Sequence, residues 1–175
     1  MPYMRTWRWK VAAVALFEVD PNLRWVVEVL GDLDQELYEL DQTHKELLRK
    51  GPDPTLSDFL GVGPATANSY FWVLGAYEAI RTIHQRFTQM GSNATNRQRA
   101  AAAVKHQFER VRVPLAKLEP ARRHDSTDYS FPRPGIEDGR GIAWEVAPGV
   151  ALSRSQLSDE FLAFLEGLKF GTISG

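Results

Sequence analysis

Residues 20–51, DPNLRWVVEVLGDLDQELYELDQTHKELLRKG, form the stretch that decides the fold class. Asp20 is a favourable helix cap and Pro21 is a favourable first helical residue. The side chains of one stripe then recur at alternating spacings of three and four, which is the pattern of a helix with one continuous buried face. The stripe consists of Leu23, Val26, Leu30, Leu33, Leu37, Leu40, His44 and Leu47. Lys50-Gly51-Pro52 supplies the signals that end the helix.

This helix, 21–50, is about 45 Å long, since each residue adds about 1.5 Å. That is long for a chain of 175 residues. Its stripe is either buried inside a helical bundle or paired with the same helix of a second copy. We therefore expect a homodimer that associates through residues 21–50.

Two more long helices are predicted downstream. Residues 65–90 contain Tyr70–Tyr77, a run that is apolar on every side, so we expect a central, buried helix. A third helix follows, and Pro114 either kinks or ends it because proline lacks the backbone N–H. Residues 7–17 fit either a helix or a strand, and their alanines favour the helix.

The C-terminal third has a different pattern. Residues 121–140 are polar and rich in proline and glycine, so we expect a long loop that is functional or unstructured. Two short apolar runs within 142–152 predict a small β-hairpin that packs on the helices. Ser158 is expected to cap a short C-terminal helix, and 171–175 to form a frayed tail. The fold class is thus mainly α, with three long helices in one domain over 1–175.

Composition and motifs exclude several classes of protein and site. The chain has no cysteine, which excludes a disulfide, a thiolate metal site and a cysteine nucleophile. It has no phosphate-binding glycine loop and no His-Glu-x-x-His zinc motif, so we expect neither a cofactor nor a metal. The apolar run 11–17 is too short for a secretory signal or a membrane span. We therefore expect a cytoplasmic protein with no membrane contact.

The formal net charge of −1 conceals two segments of opposite sign. Residues 18–58 contain eleven acidic and four basic residues, a net of −7, whereas residues 81–124 contain ten basic and two acidic residues, a net of +8. One interpretation is that the two segments are neighbours that offset each other within the fold or across a dimer. The other is that the basic segment faces solvent and binds the phosphates of RNA or DNA.

Glu78, Arg81 and His84 follow one another at spacings of three on the second long helix. Side chains three apart on a helix can touch. A carboxylate beside a guanidinium and an imidazole can transfer protons or hold an anion, so these residues are candidate catalytic groups. The alternative is that Glu78 and Arg81 form a structural ion pair and His84 is solvated.

Arg99 and His106 lie two turns apart on one face of the third helix. An arginine followed a few residues later by a histidine on a helix resembles the motif of the HEPN family of helical ribonucleases. The resemblance implies a metal-independent site at a dimer interface, where His106 handles the proton and Arg99 the phosphate charge. It covers these two residues only, and Ala100 replaces the polar residue that usually follows the arginine.

A third candidate lies in the polar loop, where arginines, a histidine and two aspartates are close in sequence. The residues concerned are Arg122, Arg123, His124, Asp125 and Asp128. The two arginines are candidates for anion binding. The histidine and aspartates are possible ligands of a divalent metal, but their spacing lacks the rhythm of a calcium loop. The alternative is a solvated connector.

The strong core pattern without a catalytic signature favours a non-enzymatic binding or regulatory module that uses helix surfaces or an internal cleft. The first alternative is a nucleic-acid-directed protein, either an RNA binder or a HEPN-like ribonuclease, that uses residues 81–124. The second is a small-ligand enzyme site in which Glu78, Arg81 and His84 meet the loop 121–130.

Overall fold

A computed structural model describes residues 4–49 and 62–173, and describes the backbone alone for 44, 46–49, 92 and 93. The elements in chain order are α1 (Met4–Ala13), α2 (Pro21–Arg49), α3 (Val62–Gln89), α4 (Thr95–Lys117), β1 (Arg133–Glu137), β2 (Gly141–Ala147), β3 (Val150–Ser153) and α5 (Arg154–Lys169). The mainly α fold with three long helices and a short C-terminal helix is confirmed.

The ambiguous segment 7–17 is helical, because α1 covers its first part and a 3-10 turn follows at Val14–Leu16. The predicted end of α2 at Lys50-Gly51-Pro52 lies outside the described residues, as do the side chains of His44 and Leu47. None of the described helices combines the length and apolar character that a membrane span needs.

The buried face of α2 differs from the predicted stripe at alternate positions. Leu40 is 38% exposed, so the prediction is wrong there, whereas Val26 and Leu33 are half-buried and pack against the core. The reason is that α2 packs against α1, α3 and β2 at once, and that two aspartates with buried partners replace apolar residues. The observed stripe consists of Leu23, Val27, Leu30, Asp34, Leu37 and Asp41.

α2 is therefore part of a bundle within one chain. Its outer side carries exposed apolar residues, with Trp25 66% and Val29 48% exposed. Self-association through 21–50 stays a prediction, and these side chains are the ones it would cover.

α3 is the central helix, as its apolar run predicts. Its Trp72 is fully buried, and its ring lies 6.4 Å from that of Trp9 on α1 and 6.0 Å from that of Phe108 on α4. Phe161 of α5 makes edge contacts with Trp9 at 5.5 Å and with Phe108 at 6.0 Å. Four helices thus meet around one aromatic cluster, and such pairs prefer these tilted and edge-on geometries.

α4 continues through Pro114 to Lys117, so the interpretation that the proline ends the helix is wrong. Pro114 is buried in the last turn and a half. The missing N–H removes only the one intrahelical bond that this residue would donate. The helix ends instead at Leu118, whose φ of 60° is in the left-handed region.

The predicted hairpin is the second half of a three-stranded antiparallel sheet of order β1-β2-β3. The additional strand β1 lies inside the predicted loop 121–140, so the expectation of a long loop without regular structure is wrong. The sequence signal was hidden because Pro134 disfavours a strand, yet β1 is an edge strand, where a missing N–H is tolerated.

α5 begins at Arg154, four residues before the predicted start at Ser158. The cap is Ser153, whose Oγ accepts a hydrogen bond from Gln156 N at 3.1 Å. Ser158 is buried inside the helix and accepts a hydrogen bond from Arg5 Nη2 at 2.6 Å. Its hydroxyl therefore joins α5 to α1 instead of starting the helix.

The first residue of α5 forms the centre of a buried ion network. Arg154 is fully buried and pairs through Nη1 with Asp34 and through Nη2 with Asp41, both on α2. Asp34 also accepts hydrogen bonds from Arg5 Nε at 2.5 Å and from Trp9 Nε1 at 2.8 Å. The network therefore joins α1, α2 and α5.

The sheet is attached to the same network. Asp41 Oδ1 accepts a hydrogen bond from Ile142 N of β2 at 3.3 Å. The neighbouring Gly141 has a φ of +72°, and a Cβ at this position would overlap the Asp41 carboxylate. Both the backbone conformation and the space require glycine here.

We expect Arg154→Met to destabilise the fold by about 3–5 kcal/mol, because it leaves two buried carboxylates without their shared cation. Urea unfolding followed by circular dichroism measures the change. The matched control is Arg140→Met, since Arg140 is exposed and such surface changes usually stay within about 0.5 kcal/mol. A loss below about 1 kcal/mol for Arg154→Met would contradict the importance of the network.

Candidate anion-binding cleft

A cleft of about 560 Å³ lies between the C-terminal half of α4 and the turn that follows it. We call it the α4 cleft. α4 contributes Lys105, His106, Glu109, Val113 and Lys117, and the chain after it contributes 119–125. The helix and the loop that follows it thus bring His106, from the second sequence candidate, together with residues 122–125 of the third candidate.

His106 is held by a carboxylate one turn further along α4. Its Nδ1 lies 2.7 Å from Glu109 Oε2, and Lys105 Nζ donates to Glu109 Oε1 at 2.9 Å. Burial raises the pKa of Glu109, but the hydrogen bonds from His106 and Lys105 outweigh it and leave that pKa below its ordinary value. An ionised Glu109 requires the proton of a neutral His106 to be on Nδ1, which leaves Nε2 to accept.

Glu78 and Arg81 form the structural pair that the sequence left as one alternative, with Arg81 Nε 2.7 Å from Glu78 Oε2. Arg112 of α4 joins them at 3.2 Å from Glu78 Oε1. The Arg112 guanidinium also stacks on the ring of Tyr77 at 4.8 Å, and the Tyr77 hydroxyl reaches Glu109 at 3.4 Å. These contacts fasten α3 to α4 behind the cleft.

His84 is half-buried on α3 and does not line the cleft. Burial, followed by the nearby charges of Lys105 and His106, lowers the pKa of His84. His84 therefore lies close to two residues of the cleft, and its surroundings disfavour its protonated form. The first and second sequence candidates are neighbours across the α3–α4 packing.

The arginines of the loop face solvent, whereas one of its aspartates does not. Arg122 and Arg123 are exposed in a 3-10 turn at Arg122–His124, and Asp125 lines the cleft with them. Asp128 instead forms a bidentate ion pair with Arg110, whose Nε and Nη2 lie 2.7 and 2.9 Å from the Asp128 carboxylate oxygens.

The Asp128 pair anchors the loop. Burial raises the pKa of Asp128, but the hydrogen bonds from Arg110 and Thr127 outweigh it and lower that pKa. The carboxylate is thus ionised and committed to α4. Its role is to hold the 122–125 turn against the helix, in front of the cleft.

Five of the ten predicted site residues line the α4 cleft: His106, Arg122, Arg123, His124 and Asp125. Glu78, Arg81, His84, Arg99 and Asp128 do not line it. Sequence reasoning missed Lys105, Glu109 and Lys117. The spacing signal for the first two was present, because Lys105 and His106 precede Glu109 by four and three residues, the separations at which helix side chains pair.

The acidic and basic segments are not each other's main partners. Among the described side chains, Arg86 with Asp20 at 3.0 Å is the one ion pair that joins 18–58 to 81–124. The aspartates of α2 itself pair with Arg5, Lys10 and Arg154. In the described part of the chain, the exposed arginines Arg99, Arg122 and Arg123 make no ion pair. Within the described residues, the two segments therefore offset each other through a single ion pair.

Within residues 4–49 and 62–173, no three histidine, aspartate or glutamate side chains are grouped so that they could hold a metal ion. No family model, curated protein or solved structure matches this chain. The chemistry of the α4 cleft is therefore the basis for a functional proposal.

His84 provides a test of the α3–α4 geometry. Because its pKa is lowered from 6.5 in the fold, the unfolded chain takes up the proton more readily. The free energy of unfolding should therefore be unaffected by His84 above pH 6.5 and should fall as the pH drops below it. We expect the free energy of unfolding of the wild type, relative to that of His84→Gln, to decrease between pH 7 and pH 5, as measured by urea unfolding. If the difference in free energy of unfolding between the two proteins does not change with pH, the half-buried position of His84 beside Lys105 and His106 is contradicted.

Proposed function

We propose that this protein is a non-enzymatic binding module that takes an anionic, phosphate-bearing ligand in the α4 cleft. The observation that carries the proposal is the convergence of His106, on α4, with Arg122, Arg123 and His124, on the following turn, around one cleft. An open cleft of about 560 Å³ is within the usual range of about 300–1,000 Å³ for small-ligand sites.

The charges of the lining support an anion. Four permanent cations, Lys105, Lys117, Arg122 and Arg123, face three carboxylates, Glu109, Glu119 and Asp125, and two imidazoles add positive charge on protonation. Glu109 pairs with Lys105 at 2.9 Å, and Glu119 with Lys117 at 3.6 Å. Among the described side chains, Arg122, Arg123 and Asp125 of the lining form no ion pair, which leaves a net charge of +1 from these three. Guanidinium groups bind phosphate oxygens in a bidentate manner.

The lining also favours binding over covalent chemistry. It contains no serine, threonine, tyrosine or cysteine that could act as a nucleophile, and Lys105 is committed to Glu109. Among the described residues, no phenylalanine, tyrosine or tryptophan lines the cleft, so it lacks the large aromatic platforms on which successive bases stack. The ligand class that suits this lining is a compact phosphate or diphosphate, recognised through its charge.

We expect pyrophosphate to bind with an affinity that falls as salt is added, since the attraction depends on exposed charges. Arg122→Gln and Arg123→Gln should each weaken it about tenfold, because a charge-assisted hydrogen bond contributes about 1.5–3 kcal/mol. Isothermal titration calorimetry measures this. Arg133→Gln is the matched control, an exposed arginine on β1 outside the cleft. Equal binding by all three variants and the wild type would refute the site.

The second candidate function is RNA binding or cleavage along α4. Arg99 is exposed and has no ion pair among described residues, and it lies two turns from His106 on one helix face. Glu109 orients the imidazole of His106 through Nδ1, which is the arrangement that prepares a histidine for proton transfer. These contacts support a surface that follows a phosphate backbone from Arg99 to Arg123.

For this second function, we expect single-stranded RNA to bind at low salt and to be released as salt rises. If the surface also cleaves, His106→Ala should abolish cleavage while His124→Ala should retain it, because Glu109 orients only His106. Filter binding and gel analysis of labelled RNA measure the two steps. Absence of binding at low salt would rule out this function while leaving the pyrophosphate site intact.

A further inference from the structure

A second cleft lies at the end of the bundle, where α1 turns into α2, α3 ends, α4 begins and α5 ends. Its volume is about 340 Å³, at the small end of the range for ligand sites. Phe87 forms a fully buried floor and Leu168 a half-buried wall. Phe17 stands at the rim and is 57% exposed. We call this the bundle-end cleft.

Arg97 and Lys169 bring two cations to a lining in which six of the nine residues are apolar. Of the arginines whose side chains are described, every other buried or half-buried one pairs with a carboxylate, whereas Arg97 pairs with none. Its Nε is buried and has no hydrogen-bond acceptor. A partly desolvated charge without a partner is costly, so the retention of Arg97 in the lining of a cleft points to an anion that the chain itself does not supply.

Glu18 also lines the cleft, yet among the described side chains it forms no ion pair with Arg97 or Lys169. It therefore does not act as the missing partner. Its charge leaves the lining with a net of +1, which suits a ligand with a single negative charge better than a polyanion.

We propose that the bundle-end cleft binds a small amphiphile with one carboxylate head and a short apolar tail. Arg97 and Lys169 hold the head, since a planar carboxylate matches a guanidinium with two parallel hydrogen bonds. The tail packs on Leu168 and Phe17, above the buried ring of Phe87, removing apolar surface from water at both partners. This site is separate from the α4 cleft and does not rest on the function proposed there.

Octanoate is the probe, titrated into the full chain by calorimetry. We expect saturable binding of one octanoate per chain, and much weaker binding of octan-1-ol, which lacks the charge. Arg97→Gln should weaken octanoate about tenfold or more. The matched control is Arg99→Gln, which removes an exposed arginine two residues further along the same helix, outside this cleft; it should bind octanoate like the wild type.

Lys169→Gln should also weaken octanoate, and it keeps the test valid if Arg97→Gln unfolds, because Lys169 is exposed. Arg123→Gln should leave octanoate binding unchanged; a loss there would place the ligand in the α4 cleft and overturn the proposal. The absence of saturable binding up to about 10 mM, equal affinity for octan-1-ol, or unchanged binding by Lys169→Gln and a folded Arg97→Gln would each overturn it too.

Discussion

Arg154 is buried between two aspartates of a single helix, and the remainder of the fold is arranged around this constraint. Moving an ion from water into a protein interior costs several kcal/mol even after relaxation. Asp34 and Asp41 are seven residues apart on α2, so one guanidinium reaches both only when the start of α5 lies directly across that face. These two contacts therefore fix where the N-terminal end of α5 lies on α2.

The other members of the network extend this constraint to the rest of the chain. Arg5 and Trp9 bring α1 to Asp34, and Ile142 brings the sheet to Asp41. The aromatic cluster around Trp72 lies next to the network, with Arg154 5.8 Å from the Trp72 ring. Apolar packing supplies the bulk of the burial, while the ions determine which helix faces meet, a role in specificity that buried ion pairs have in some proteins.

The α4 cleft depends on a different set of contacts. Arg110 holds Asp128 and thus the loop, and Glu109 holds His106 and Lys105. The pairs of Glu109 are partly exposed, so each contributes modestly to stability, whereas the Asp128 carboxylate is buried against Arg110. Together these pairs fix which charges remain unpaired. Among the described side chains, the unpaired charges of the lining are Arg122, Arg123 and Asp125, and the two arginines give the cleft its proposed preference for anions.

Local sequence signals predicted the helices well because each depends on neighbours along the chain. The spacing of apolar residues in 20–51 and the apolar run of 70–77 were sufficient for α2 and α3. The same reasoning failed at Ser158 and at Pro134, since a serine is a cap only when the helix begins beside it, and a proline excludes a strand only when its N–H is needed. Both conditions are set by tertiary neighbours.

The sequence by itself thus determined the mainly α class, the three long helices and the segregation of charge. The tertiary structure alone decided which charges are paired. In the sequence, Asp34 and Asp41 lie outside the predicted apolar stripe of α2, and Asp128 is a candidate ligand in the loop. The arginines that neutralise them come from distant parts of the chain. Ion pairing depends on distances in space. Asp34 and Arg154 are 120 positions apart in the sequence, so the local spacing of residues cannot predict that they pair.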